Sequence, residues 1–339
     1  MTVAAVSVLA VPGTAHAHTG VSQAPAPPSA GPSTPAVLTA TPAPAPAGLP
    51  APVVAADLPA SAVAAGLPVA PAATATPAPP YPVVQTTLTL TDASRSTPAR
   101  GAVAGAPTRV LRTLVLTPAT APRALPVIVF APGYNSQPES YLPLLDAWAA
   151  RGYLVVAPDS PGSAGDLPGS PVRSDIAGQA QDLSFTISAV LGGMAGPVDA
   201  TRITVAGHSD GGSAVAVLAL DPAFRDVRIA SYVVLSGAIP DAVAGPWGTE
   251  RTAGRLLVVV GDADEYGNLP ASTDVFDTAN MTKTLVVARG GDHLGTYLSD
   301  SALAFAVRSE TLSFLDGPGL DGHLAAGPDT SSLTITESG

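Results

Sequence analysis

Between residues 81 and 316 the chain carries two kinds of hydrophobic pattern. Residues 83–91 and 109–116 set apolar and polar side chains in turn, which predicts strands at a sheet edge. Further on, short continuous apolar runs rich in Val and Ile occupy 127–130, 153–157, 203–206, 230–235, 256–260 and 284–287. Runs of that length without a polar face suit strands covered on both sides of a parallel sheet. Helical stretches lie at 139–150, 176–191, 212–220 and 301–315. Strand–helix alternation behind a leading antiparallel pair predicts an α/β fold: a mostly parallel central sheet, helices on both faces and antiparallel strands at the N-terminal edge.

The flanks read differently. Residues 3–11 are apolar and run on to Ala15-His16-Ala17. An apolar stretch of that length before A-x-A predicts a secretory signal over 1–17, too short to span a bilayer, and hence a secreted or envelope-associated protein. No Lys or Arg precedes the run. From 18 to 80 the composition narrows to Ala, Pro, Thr, Ser and Val, with Asp57 nearly the only charge. Repeated Ala-Pro steps remove helix donors and leave little to bury, predicting a semi-extended linker. Residues 317–339, rich in Gly, Asp and Ser, are expected to form a flexible tail.

Composition narrows the chemistry. Hydrophobic residues make up 46% of the chain and charged ones 12%, so a sizeable core is available. The net charge of −11 offers no cationic footprint for nucleic acid or an anionic membrane. With no Cys, disulfides, thiolate metal sites and cysteine nucleophiles are excluded, and five His argue against a multi-histidine metal centre.

The most informative string is Gly207-His208-Ser209-Asp210-Gly211, with a β-branched run before it and an apolar helical stretch after it. G-x-S-x-G between a strand and a helix can hold its Ser on a sharp, strained turn; larger side chains two residues away on either side would collide. The helix then aims its first amides at the hydroxyl and at any negative oxygen formed beside it. A serine hydroxyl needs a base, usually a His oriented by a carboxylate. Two of the five His lie in the N-terminal extension and one in the tail, and the His208 side chain is expected to point away from the site. His293, in a loop after the last run, remains as the candidate base. The turn after 256–260 offers Asp262, Asp264 and Glu265 as candidate orienting acids.

These residues resemble the α/β-hydrolase superfamily over roughly 83–315. The G-x-x-D spacing that the superfamily shows after this strand favours Asp264, and the order Ser209, Asp264, His293 is the one the fold uses. Pro132-Gly133-Tyr134 follows the strand whose loop supplies an oxyanion-hole amide in the superfamily, which implies the backbone N–H of Tyr134 paired with that of Asp210. The Pro-Gly-Tyr string and the Pro246-Trp247 pair are similar to those of bacterial cutinases and polyester hydrolases. Dienelactone-hydrolase-like and platelet-activating-factor-acetylhydrolase-like esterases are also similar. On that resemblance the Tyr134 side chain lines the acyl pocket, and Trp247 is either a substrate wall or a core aromatic. Departures are Asp210 where cutinases commonly carry Met or Gln, the lack of Cys, and no His after Trp247. The Asp210 carboxylate is expected to turn away from the oxyanion, into a polar pocket or toward water. The resemblance implies a serine ester hydrolase needing no metal or organic cofactor, acting on a small or polymeric ester, with no nucleic-acid partner and no stable membrane anchor. Rival readings are a lipase, peptidase or acyltransferase on the same fold, and a catalytically silent binding or wall-associated protein.

Overall fold

The computed structural model describes residues 81–120, 124–317 and 330–338. The expected signal at 1–17 and linker at 18–80 lie outside the described residues. Among the described residues nine strands form one sheet: β1 (Val83–Asp92), β2 (Arg109–Pro118), β3 (Leu125–Ala131), β4 (Leu154–Asp159), β5 (Val198–His208), β6 (Ser231–Leu235), β7 (Arg255–Gly261), β8 (Thr282–Ala288) and β9 (Leu333–Ser338). Their spatial order is β1-β2-β4-β3-β5-β6-β7-β8-β9. The six strands from β4 to β8 run parallel, while β1, β2 and β9 pair antiparallel at the two edges. This is the expected α/β-hydrolase sheet, with one addition at the far edge.

Six helices among the described residues flank it: α1 (Leu142–Ala150), entered through a 3₁₀ turn (Pro138–Tyr141), α2 (Ile176–Ala189), α3 (Asp210–Leu220), α4 (Asn268–Thr278), α5 (Gly295–Leu298) and α6 (Ala302–Asp316). The apolar runs work as two-sided strands. Val127, Val129 and Ala131 of β3 face one core cluster with α2, α3 and α4, whereas Ile128 and Phe130 face a second with α1, α5 and α6. Strand β7 divides likewise, Leu256, Val258 and Val260 against Leu257 and Val259. Period-two alternation between two buried faces is what a continuous apolar run must give in a three-layer fold. Helix α3 is buried at every position, which fits its Ala, Val and Leu content. Among the described residues no helix is long and apolar enough to cross a membrane.

Two expectations need correction, and one helix was not expected. The tail is not flexible throughout: Leu333–Ser338 pairs along β8 from Lys283 to Ala288. Leu333, Thr334, Ile335 and Thr336 supply a β-branched alternation that closes the ladder on an otherwise unpaired edge. Helix α2 stops at Ala189 and unwinds through a π-turn to Met194, with Gly193 at φ 94°. Helix α4 escaped notice because it is largely polar; only Ser272, Val275 and Phe276 are buried along it.

Candidate active site

Ser209 stands between the end of β5 and the start of α3 with φ 55° and ψ −123°. A non-glycine residue with positive φ costs on the order of 1–3 kcal/mol, so the surrounding packing must enforce it. That packing is visible. A β-carbon on Gly207 would run into the carbonyl of Gly211, and one on Gly211 into the carbonyls of Ala131 and Pro132. Ser209 N–H donates to Leu235 O at 2.9 Å, tying the turn to β6.

Ser209, His293, Tyr134 and Asp210 line one cavity of about 840 Å³ at the carboxyl ends of the parallel strands. No hydrogen bond links Ser209 Oγ directly to His293 among the described residues. Asp264 lies behind the His293 ring, Oδ2 to Nδ1 2.8 Å. A carboxylate only accepts, so Nδ1 carries the hydrogen and Nε2 keeps the lone pair a base requires. Burial by itself would raise the Asp264 pKa. Hydrogen bonds from His293, Asn268 and the Tyr266 N–H outweigh it and hold the carboxyl below its usual range.

The two rival carboxylates have other partners. Glu265 accepts from the His293 backbone N–H at 3.0 Å, and Asp262 from the Gly290 N–H at 2.6 Å. All three acids thus lace the turn after β7 to the turn after β8, and Asp264 is the one that reaches the imidazole. Asn268, the first residue of α4, donates to both Asp264 oxygens at 3.1 and 3.2 Å. It lies four residues past Asp264 and its role was not legible from that spacing.

The backbone amides of Tyr134 and Asp210 make no hydrogen bond to a protein acceptor among the described residues, and both residues line the cavity. Tyr134 lies beneath the Arg173 guanidinium, 4.4 Å from ring centre, and its hydroxyl donates to Pro171 O at 3.3 Å. The Asp210 side chain does not reach water as a free carboxylate. It pairs with Arg173 (Oδ1 to Nη1 3.1 Å) and is otherwise buried, with Oδ2 unpartnered. Burial raises its pKa, while Arg173 and His293 oppose the rise. The segment from Pro161 to Pro168 is held by buried Arg100, which donates to the carbonyls of Pro161, Gly162, Ala164, Leu167 and Pro168.

One residue had two readings, and another sits elsewhere than expected. Trp247 does not line the cavity but packs against the core cluster of α2, α3 and α4. Gly248 N–H bonds to Leu220 O, so this loop is drawn to the far end of α3, about 16 Å of helix from the elbow. His208 does not point out of the site; its ring is buried between Tyr141 and His293. Burial first, and then the neighbouring His293, push its pKa down to about 3. Below about pH 6.5 the unfolded chain therefore takes up a proton that the folded ring refuses, and stability falls by up to about 1.4 kcal/mol per pH unit until about pH 3. Urea midpoints from pH 7 to pH 5 are expected to drop more steeply for the wild type than for His208→Gln. Equal slopes would contradict a buried neutral ring.

A family model described as Chlorophyllase matches residues 93–266, just over half of the chain. No curated protein matches significantly. Among solved structures, a ferulic acid esterase from Streptomyces cinnamoneus superposes with a TM-score of 0.59 at 20% identity, covering 78% of this chain and 99% of its own. A protein described as a dienelactone hydrolase from Klebsiella pneumoniae superposes with a TM-score of 0.50 at 17% identity, covering 70% of this chain and 100% of its own. At such identities the two likenesses speak for the fold.

Proposed function

The chain belongs to the chlorophyllase family and is a carboxylic ester hydrolase, and we propose that Ser209, His293 and Asp264 perform the hydrolysis. Ser209 Oγ attacks the ester carbonyl while His293 Nε2 takes its proton. Asp264 holds the imidazole in the required tautomer and stabilises the imidazolium that forms. The N–H groups of Tyr134 and Asp210 bind the oxyanion; each such donor contributes on the order of 3 kcal/mol to transition-state stabilisation. Collapse of the tetrahedral intermediate passes the His293 proton to the departing alcohol and leaves an acyl group on Ser209. Water then attacks the acyl-enzyme with His293 again as base, and the carboxylic acid departs. The observation that carries this reading is His293, backed by Asp264, facing the same cavity as a serine held at positive φ.

The substrate we infer is a small-molecule ester, which a cavity of this size and mixed lining can take up. A panel of a short acyl ester, a long acyl ester, a polyester film, a chlorophyll, a peptide and an alcohol acceptor tests it. Turnover of the short ester with transient accumulation of acyl-enzyme is expected. Folded protein that turns over no ester would refute the reading, and preferential cleavage of the film or peptide would refute the substrate class. Asn268→Ala should lower kcat by about tenfold with KM little changed, the size of one lost hydrogen bond to a charged group. Export through the segment 1–17 is part of the proposal. It rests on the apolar run and Ala15-His16-Ala17, and N-terminal sequencing of protein recovered outside the cell tests it.

A further inference from the structure

His208 takes no part in the hydrolysis as written, yet both nitrogens of its buried ring are matched. Nε2 lies 2.9 Å from the carbonyl oxygen of His293, an atom that only accepts, so Nε2 carries the hydrogen and Nδ1 the lone pair. Nδ1 lies 2.9 Å from the Tyr141 hydroxyl, which therefore donates to it. The same hydroxyl oxygen accepts from Gly133 N–H at 3.0 Å. Three bonds thus run in one direction, from Gly133 N–H to Tyr141, from Tyr141 to His208, and from His208 to the His293 carbonyl. One end is the loop whose next amide belongs to Tyr134; the other is the backbone of the base. Between them the rings are in contact, with centroids 5.5 Å apart for Tyr141 and His208 and 4.5 Å for His208 and His293.

We propose that His208 and Tyr141 are positioning residues, forming a buried strut that sets the oxyanion loop and His293 in register about Ser209. The inference rests on the Ser209–His293–Asp264 reading above. Apolar side chains could fill the same volume, but dispersion has no direction, whereas hydrogen bonds fix spacing and angle. Register matters because misplacing a reacting group by about 1 Å can cost about 100-fold in rate. Neutrality matters as well. His293 becomes a cation when it takes the Ser209 proton, and a second cation against its ring would oppose that step. Burial keeps His208 uncharged.

Tyr141→Phe tests this most cleanly, since it removes one oxygen and keeps the ring. Steady-state kinetics on a short acyl ester should show kcat at least about tenfold lower with KM within about twofold, since that oxygen makes two of the three hydrogen bonds. His208→Leu also breaks two bonds, one of them to the backbone of the base itself, and removes the ring packed against His293, so it should lose more. His208→Gln, whose amide can still donate to the His293 carbonyl, should recover part of that loss. A fluorophosphonate probe separates the failures. A wild type that is not labelled at Ser209 removes the hydrolytic reading itself. A labelled wild type, with Tyr141→Phe reacting at an undiminished rate, overturns the strut and leaves that reading standing. Should His208→Leu not fold, Tyr141→Phe decides alone.

Discussion

Ser209→Ala should lower kcat by roughly 10⁴- to 10⁶-fold, because the hydroxyl is the one atom that forms and breaks the acyl bond. The same substitution should leave stability within about 0.5 kcal/mol of the wild type. Ser209 Oγ forms no hydrogen bond among the described residues, and the backbone bond that ties the turn to Leu235 survives in the alanine variant. Alanine at φ 55° bears the same backbone strain as serine, so strain drops out of the comparison. Turnover and urea midpoint, measured on one preparation, separate chemistry from folding. Retained turnover, or a collapse of both quantities together, would count against Ser209 as a nucleophile that the fold merely holds in place.

Arg109→Ala is expected to have the largest effect on stability, a loss of about 3–5 kcal/mol. Arg109 is almost wholly buried and grips Asp182 with two bonds, Nε at 2.6 Å and Nη2 at 2.7 Å, while Nη2 also reaches Asp175 at 2.6 Å. Burial alone would lower the Arg109 pKa, but the two carboxylates outweigh it and raise it, so the charge persists at every working pH. Truncation leaves Asp182 with Arg95 as its remaining cation and strands Asp175. Arg109→Lys keeps the charge but not the planar fork, and should recover only part of the loss. Asp175 opens α2 directly after Arg173 and Ser174, which line the cavity, so KM should rise in the same variants. A urea midpoint within experimental error of the wild type would contradict this view of the network.

The sheet and the elbow were legible because their signals are local. Val- and Ile-rich runs mark strands buried on both faces, and a glycine two positions either side of Ser209 marks a turn that admits no side chain there. Residue spacing likewise narrowed the acid to three neighbours and, through the resemblance, favoured Asp264, the one whose carboxylate lies against the His293 ring. What stayed hidden depends on convergence. His208 was set aside because nothing near it in the chain reveals that Tyr141 and the His293 carbonyl meet its two nitrogens. Trp247 was open between pocket wall and core aromatic, because the chain does not reveal that the hydrogen bond from Gly248 to Leu220 carries its loop to the far end of α3. Strand β9 was concealed by averaging, since a Gly- and Asp-rich stretch masked the short alternation from Leu333 to Thr336. The polar helix α4 gave no apolar stripe, so the Asn268 amide that holds Asp264 went unnoticed.

Ser209, His293 and Asp264 are proposed to act as one unit, and mapping a fluorophosphonate adduct by mass spectrometry tests that most directly. A single phosphonyl group on the peptide containing Ser209 is expected in the wild type. It should vanish from Ser209→Ala, and form orders of magnitude more slowly in His293→Ala and in Asp264→Asn. An adduct on another residue, or on Ser209 at an unchanged rate without the His293 imidazole, would contradict the account.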